Sequence, residues 1–282
     1  MLVYKPSMGR PASHIHWFDE RPKFMSSVDQ SQMVQPSTPA NEFVEIVKTV
    51  VYALLIALVL RVFLFQPFTI PSASMEPNLL EGDYIIVSKY SYGYSHHSIP
   101  MSPPLFSGRI LATPPKRGDI VVFKLPRDGH TDYIKRLIGL PGDRVQVKQS
   151  VIYINDKPLP RVGDGKVVLD MGGGLGQPAE RFKETNSEGR QYVTYSFGTE
   201  GDAENTGVYV VPEGQYFMMG DNRDNSLDSR FPEEIGVGFV PAENFVGRAR
   251  IILLSWNRGV SLFKPWTWFT EARLSRFGHV LK

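Results

Sequence analysis

The sequence predicts a mainly β domain, built as an antiparallel sheet with an inserted β lobe and preceded by one N-terminal membrane-spanning helix. Two observations carry that reading. An uncharged run from Thr49 to Leu60 lies within a longer apolar stretch. From Asp83 to Leu254, short segments rich in Val, Ile, Tyr and Phe recur between Gly, Pro and Asp turns. Composition bounds the rest. The 282 residues are 42% hydrophobic, which is too apolar for global disorder. A formal net charge of +2 gives no reason to expect a nucleic-acid partner. Cysteine is absent, so thiol catalysis, Cys-based zinc sites and disulfides are excluded.

Residues 1–40 carry Pro11, Pro22, Pro36 and Pro39 with no persistent period, and read as a disordered tail. His14 and His16 have no neighbouring carboxylate and read as solvated histidines rather than metal ligands. Thr49 to Phe68 gives about 20 residues, enough to cross roughly 30 Å of hydrocarbon, with boundaries placed at 41–66. Arg61 falls near the exit end, where its stem can lie along the helix and its charge reach the headgroups. A buried core helix is the rival that the twelve-residue uninterrupted run allows. The Lys and Arg count on the two sides only mildly favours a cytoplasmic tail.

Residues 67–282 then read as the β domain, with the lobe at about 144–215. Strand candidates are Asp83–Tyr90, Ile120–Leu125, Asp132–Gly139, Val145–Val147, Val151–Ile154, Val208–Val211, Tyr216–Met219, Gly236–Val240 and Val246–Leu254. Leu140-Pro141-Gly142-Asp143 has the residue order of a type II turn. Residues 91–117 read as a surface excursion with His96 and His97 exposed, and 156–207 as a partly irregular lobe. Gly172-Gly173-Gly174 lacks the Lys-Ser/Thr and the helix of a phosphate loop. Trp256, Phe263, Trp266, Trp268 and Phe269 near the C-terminus suit either a membrane interface or a core.

Three segments ask for one chemical explanation. Ser74 is held between Pro71 and Pro77, with Ser72 two residues earlier. A serine is a weak nucleophile until a base takes its proton. Lys135 and Arg136 are adjacent in a strand, so one faces inward and the other faces solvent. Lysine can lose its charge on burial and arginine cannot, which makes Lys135 the inward residue. Between Gly220 and Arg230, a run crowded with Asp, Asn, Ser and Arg reads as a turn held by its own side chains. It lacks the central Gly and closing Glu of an EF-hand calcium loop.

Pro71-Ser72-Ala73-Ser74-Met75-Glu76-Pro77, Gly82-Asp83, Gly118-Asp119-Ile120-Val121-Val122-Phe123, Asp132-Tyr133-Ile134-Lys135-Arg136, Gly139-Leu140-Pro141-Gly142-Asp143 and Gly220 to Arg230 occur in that order behind an apolar span. In this the sequence resembles the type I signal peptidases, membrane-anchored Ser-Lys proteases of bacteria. The resemblance covers the span and residues 66–155 and 208–252, and leaves the tail and 156–207 unexplained. It implies Ser74 as nucleophile and Lys135 as general base. The Ser74 N–H and the Ser72 hydroxyl would hold the oxyanion. Ser226 would aim the Lys135 amine, and an Asp228–Arg230 pair would fix the turn. Phe68, Ile70, Ile85, Val122, Tyr133 and Ile134 would form small apolar pockets for Ala-x-Ala sites in exported preproteins, bound as an added strand near Asp132 and Tyr133. The other partner would be the bilayer of the bacterial inner membrane, with the catalytic domain outside the cytoplasm. No cofactor, metal or nucleic acid is implied.

Ala73 stands where the family often has Gly, which demands a negative φ or mild strain at that turn, and Asn78 where Thr is common. The rival functions are a soluble self-cleaving Ser-Lys protease, which would need a DNA-binding domain in place of the span, and a non-enzymatic anchored β-domain.

Overall fold

The computed structural model describes residues 39–170, 176–199, 201–257, 260 and 264–281. The N-terminal tail, with His14 and His16, lies outside them, as do Gly172-Gly173-Gly174 and Phe263. Helix α1 runs Pro39–Phe63. Its stretch Asn41–Phe63 is long and apolar enough to cross a membrane. Leu54, Ile56 and Val59 are all more than half exposed, so the core-helix reading is set aside. The helix ends at Phe63, short of the expected 66, because Phe65–Thr69 leaves it to become strand β1. The signal was the Pro67 that follows, which cannot continue a helix.

Among the described residues fourteen further strands follow: β2 Asp83–Ser88, β3 Ile120–Lys124, β4 Asp132–Gly139, β5 Arg144–Lys148, β6 Val151–Ile154, β7 Lys157–Pro158, β8 Arg161–Asp170, β9 Gly176–Thr185, β10 Gln191–Ser196, β11 Tyr209–Val210, β12 Gln215–Met219, β13 Val240–Pro241, β14 Phe245–Ser255 and β15 His279–Val280. The main sheet has the order β1-β2-β14-β3-β4-β12-β13, with β15 on β14. Every pairing within it is antiparallel. β14 carries bulges against both β2 and β3. Bulges increase twist and bend a strand. β1 and β4 have three strands between them, a separation of roughly 19 Å in a flat sheet. The residues that follow β1 nevertheless touch β4, so the sheet is curled.

Ile85, Val87, Ile120, Val122, Ala249 and Ile252 line one apolar cluster, with Ile70, Met75 and Leu79 packed against it. Val121, Phe123, Leu137, Met218 and Phe245 form a second. Alternate residues of β3 thus enter opposite clusters, as pleating requires. Leu140 to Asp143 closes as expected, with Gly142 at φ +83 and Asp143 N–H bonded to the Leu140 carbonyl at 3.0 Å. The positive φ suits glycine at the third place of a type II turn.

Several expectations are corrected. The lobe is more regular than its composition suggested: β8, β9 and β10 form a meander, and β5, β6, β7 and β11 a second small sheet. Cross-strand pairing along β8 and β9 carries that regularity despite the glycines. From Gly236 to Val240 only the last residue is strand. His97 is buried, its Nδ1 3.0 Å from Ser102 Oγ, because 96–98 forms a turn folded onto Lys89. Trp266 and Phe269 are 63% and 84% exposed, whereas Trp256 stacks edge-on against Tyr84 and Phe277.

Candidate active site

A short 3-10 turn, Ala73–Met75, follows β1 and lifts Ser74 over the sheet. Met75 is fully buried in the first apolar cluster and pins the turn from below. Ala73 has no positive φ, so the residue that replaces glycine here is unstrained. Ser74 carbonyl accepts from Asn222 N–H at 3.1 Å, and the Ala73 carbonyl from Asn222 Nδ2 at 3.2 Å. The Gly220–Arg230 turn therefore grips the serine turn by its backbone.

Lys135 Nζ donates to Ser74 Oγ at 2.5 Å, and the lysine is 4% exposed. Burial drops its amine to about 8, against upward pulls from Asp228 and Asp221. The Tyr133 ring, on the same strand face, lies 5.7 Å from the Nζ. Ser72 Oγ is 3.4 Å from Ser74 Oγ. The Ser74 N–H donates to nothing among the described residues.

Arg230 donates to Asp228 through two 2.9 Å bonds, and Asp228 also accepts from Gly220 N–H at 3.0 Å. Burial opposes ionisation of Asp228, but Arg230 and the Gly220 N–H together hold its carboxyl below the usual range. Arg230 further binds the Arg223 carbonyl, closing the turn on itself. The Ser226 Oγ is buried and makes no hydrogen bond, to Lys135 or otherwise, among the described residues. It does line the same cleft.

The cleft encloses about 580 Å³ between Pro71, Ser72 and Ser74, β4 residues Asp132 to Lys135, and Ser226, Leu227 and Phe231. Tyr133 and Ile134 reach it; Ile70, Ile85 and Val122 lie in the apolar cluster with Phe68 packed alongside. β12 pairs with β4 only from Arg136 onward, which leaves Asp132 to Lys135 with one open strand edge.

Arg136 does not face solvent. It is 1% exposed, and its Nε and Nη2 each donate to Asp221 at 2.7 Å. Its guanidinium carbon lies 4.0 Å from the Tyr192 ring centre. The inserted lobe covers the face that alternation assigned to water, so both neighbours are buried. Asn78 explains its own departure: Nδ2 donates at 2.7 Å to Asp221 and to the Val193 carbonyl. It joins the serine turn to this pair and to β10. Sequence reasoning found neither Asp221 nor Asn78 as site supports. Their signal was the adjacency of Arg136 to the base, which demands a buried counter-ion if both are covered.

A buried serine hydroxyl against a desolvated lysine amine, beside an open strand edge, has the composition of a serine hydrolase site suited to a peptide. The family model described as "Signal peptidase, peptidase S26" matches residues 43–256, and the chain belongs to that family, as a serine peptidase. It is 46% identical over 244 residues to "Signal peptidase I" of Rickettsia typhi, covering 80% of this chain and 89% of that relative. The protein of the same name from Rickettsia canadensis is 44% identical over 246 residues, covering 81% and 90%. A crystal structure of a signal peptidase I from Enterococcus faecalis V583 shares 28% identity, covering 48% of this chain and 97% of that one at a TM-score of 0.28.

Proposed function

We propose that this peptidase removes N-terminal signal peptides from exported preproteins at Ala-x-Ala-type sites, anchored in the membrane by α1, with Ser74 and Lys135 as its catalytic pair. The 2.5 Å contact between the two side chains carries the reading. Neutral Lys135 accepts the Ser74 proton as Oγ attacks the scissile carbonyl carbon. The oxyanion takes the unused Ser74 N–H and the Ser72 hydroxyl. Collapse breaks the C–N bond, and the Lys135 ammonium returns its proton to the leaving amine. Water, deprotonated by the same amine, then attacks the ester, releasing the signal peptide carboxylate and the Ser74 hydroxyl.

The substrate lies as an added strand along Asp132 to Lys135, whose edge is open. Tyr133 and Ile134 contact its side chains directly, and Phe68, Ile70, Ile85 and Val122 back the small pockets from the core. Ser226 engages Lys135 once substrate closes the cleft. The catalytic domain stands outside the cytoplasm, where the apolar part of an exported signal peptide ends.

The test is cleavage of a purified preprotein by the full chain in detergent. Ser74→Ala and Lys135→Ala are each expected to lower the rate by at least roughly 10³-fold, with an unchanged circular dichroism spectrum. Normal release of the signal peptide by either variant overturns the assignment.

A further inference from the structure

A second cavity, of about 320 Å³, sits where α1 hands over to β1. Arg61, Gln66, His97, Met101, Lys124 and His130 contribute to its lining. Its charge balance is uneven. The Arg61 side chain makes no ion pair or hydrogen bond among the described residues. Lys124 is paired with Asp132 at 2.9 Å, the carboxylate that also lines the cavity. Behind the wall, Lys89 is 1% exposed and its ammonium meets a single carbonyl, that of Ser98 at 2.5 Å. Burial lowers Lys89 to about 8, and repulsion from Arg61 and Lys124 adds to that, with Asp132 opposing. Two cations and one carboxylate thus line the cavity, with buried Lys89 repelled by both cations from behind the wall, and an anion in the cavity would relieve that repulsion.

The surroundings select the kind of anion. Phe63, Leu64 and Phe65, next to Arg61 in the chain, are exposed apolar residues, and Met101 at the cavity edge is 96% exposed. A free ion needs no such rim, whereas acyl chains do. Arginine near the end of an apolar helix reaches for headgroup phosphates. The cavity is within the size range of small-ligand sites.

We propose that this cavity binds the phosphate of an anionic phospholipid, gripped by Arg61 and Lys124, with His97 and His130 at the walls and the acyl chains along the Phe63–Phe65 and Met101 rim. The proposal rests on α1 spanning the bilayer. A headgroup bound here fixes the depth of the domain at the helix exit. It also orders the β4 end that carries Asp132, which links lipid to the peptide cleft.

The experiment uses the full chain in detergent, titrated with dioleoyl phosphatidylglycerol, dioleoyl phosphatidylcholine or inorganic phosphate, with bound lipid counted by native mass spectrometry. Phosphatidylglycerol is expected to be retained in preference to phosphatidylcholine. Arg61→Gln and Lys124→Gln are each expected to weaken its retention roughly fivefold, the effect of one cation at an anionic surface. Arg61→Lys restores most of the loss. Equal retention of both lipids, or retention indifferent to both Gln substitutions, overturns the site. Displacement of the lipid by an equal concentration of inorganic phosphate overturns the lipid as occupant. An alkaline carbonate wash of vesicles carrying the chain separates the two readings. A chain that washes off sinks the span, whereas one that stays embedded yet ignores phosphatidylglycerol sinks only the lipid site.

Discussion

Arg136 and Asp221 meet through two parallel 2.7 Å hydrogen bonds directly behind the strand position that carries Lys135. Both are buried to about 1% exposure or less, so each charge has left water on the condition that the other is present. Arg136→Met alone is expected to destabilise the fold by about 3–5 kcal/mol, since it strands Asp221. Arg136→Met with Asp221→Leu should recover most of that loss. Urea unfolding of the single and double variants measures the difference, and equal losses would mean that the pair is not coupled.

The Lys135 amine, lowered to about 8 by burial, sets a pH dependence. The neutral form is the base, so kcat/KM is expected to rise with pH through about 8, with roughly one-tenth of the amine available at pH 7. For stability the sign runs the other way from a salt-bridged lysine. The unfolded amine binds its proton at about 10.5 and the folded one at about 8, so stability falls as pH drops through that window and is flat below it. Asp228 pulls the amine upward; Asp228→Asn should therefore move the activity limb to lower pH while reducing the plateau, because the turn loses its Arg230 clamp. An unmoved limb would break the link between these two groups.

Ser226 separates positioning from stability. Its hydroxyl is buried without a partner among the described residues, so Ser226→Ala removes none of their hydrogen bonds and should change unfolding free energy by less than about 0.5 kcal/mol. If it aims the amine in the substrate complex, kcat falls on the order of 10²-fold with KM little changed. Full activity in this variant would remove Ser226 from the mechanism.

Gly220 is required by space. A Cβ there would lie 2.5 Å from both Ser226 Cβ and the Ser74 carbonyl oxygen, closer than real Cβ contacts permit. Gly220→Ala should cost about 1–3 kcal/mol and push the nucleophile off the amine. Activity is expected to fall further than stability alone explains, which comparison of rate with folded fraction at low temperature would show.

What could be read from the chain divides along local and long-range lines. Asp132–Gly139 and Val151–Ile154 emerge as strands with unaltered bounds, because alternation and flanking turns are local. Ser74 and Lys135 were found through residue types and family likeness, and their contact depends on a curl that no window of sequence displays. The exposed Arg136 was a misreading of the same kind: alternation is right about opposite faces, but it cannot tell that a lobe fifty residues on will cover one of them. The lobe itself was misjudged because glycine and charge hid a two-residue period in Val167, Leu169 and their partners on β9. His97 was assigned to solvent on composition, and a capped turn buried it.

The β8–β10 meander meets the catalytic region through β10 and through Glu184 of β9, which accepts from Arg223 Nη2 at 2.7 Å. Tyr192, Val193 and Tyr195 of β10 meet Arg136, Asn78 and the Asp221–Arg223 backbone, while most of β8 shows its side chains to water. That division makes the meander a buttress with a fixed foot and a free crown. Insertions, tags or deletions placed between Val167 and Pro178 should leave proteolysis intact, whereas shortening β10 by even one residue would tilt the masonry under the nucleophile.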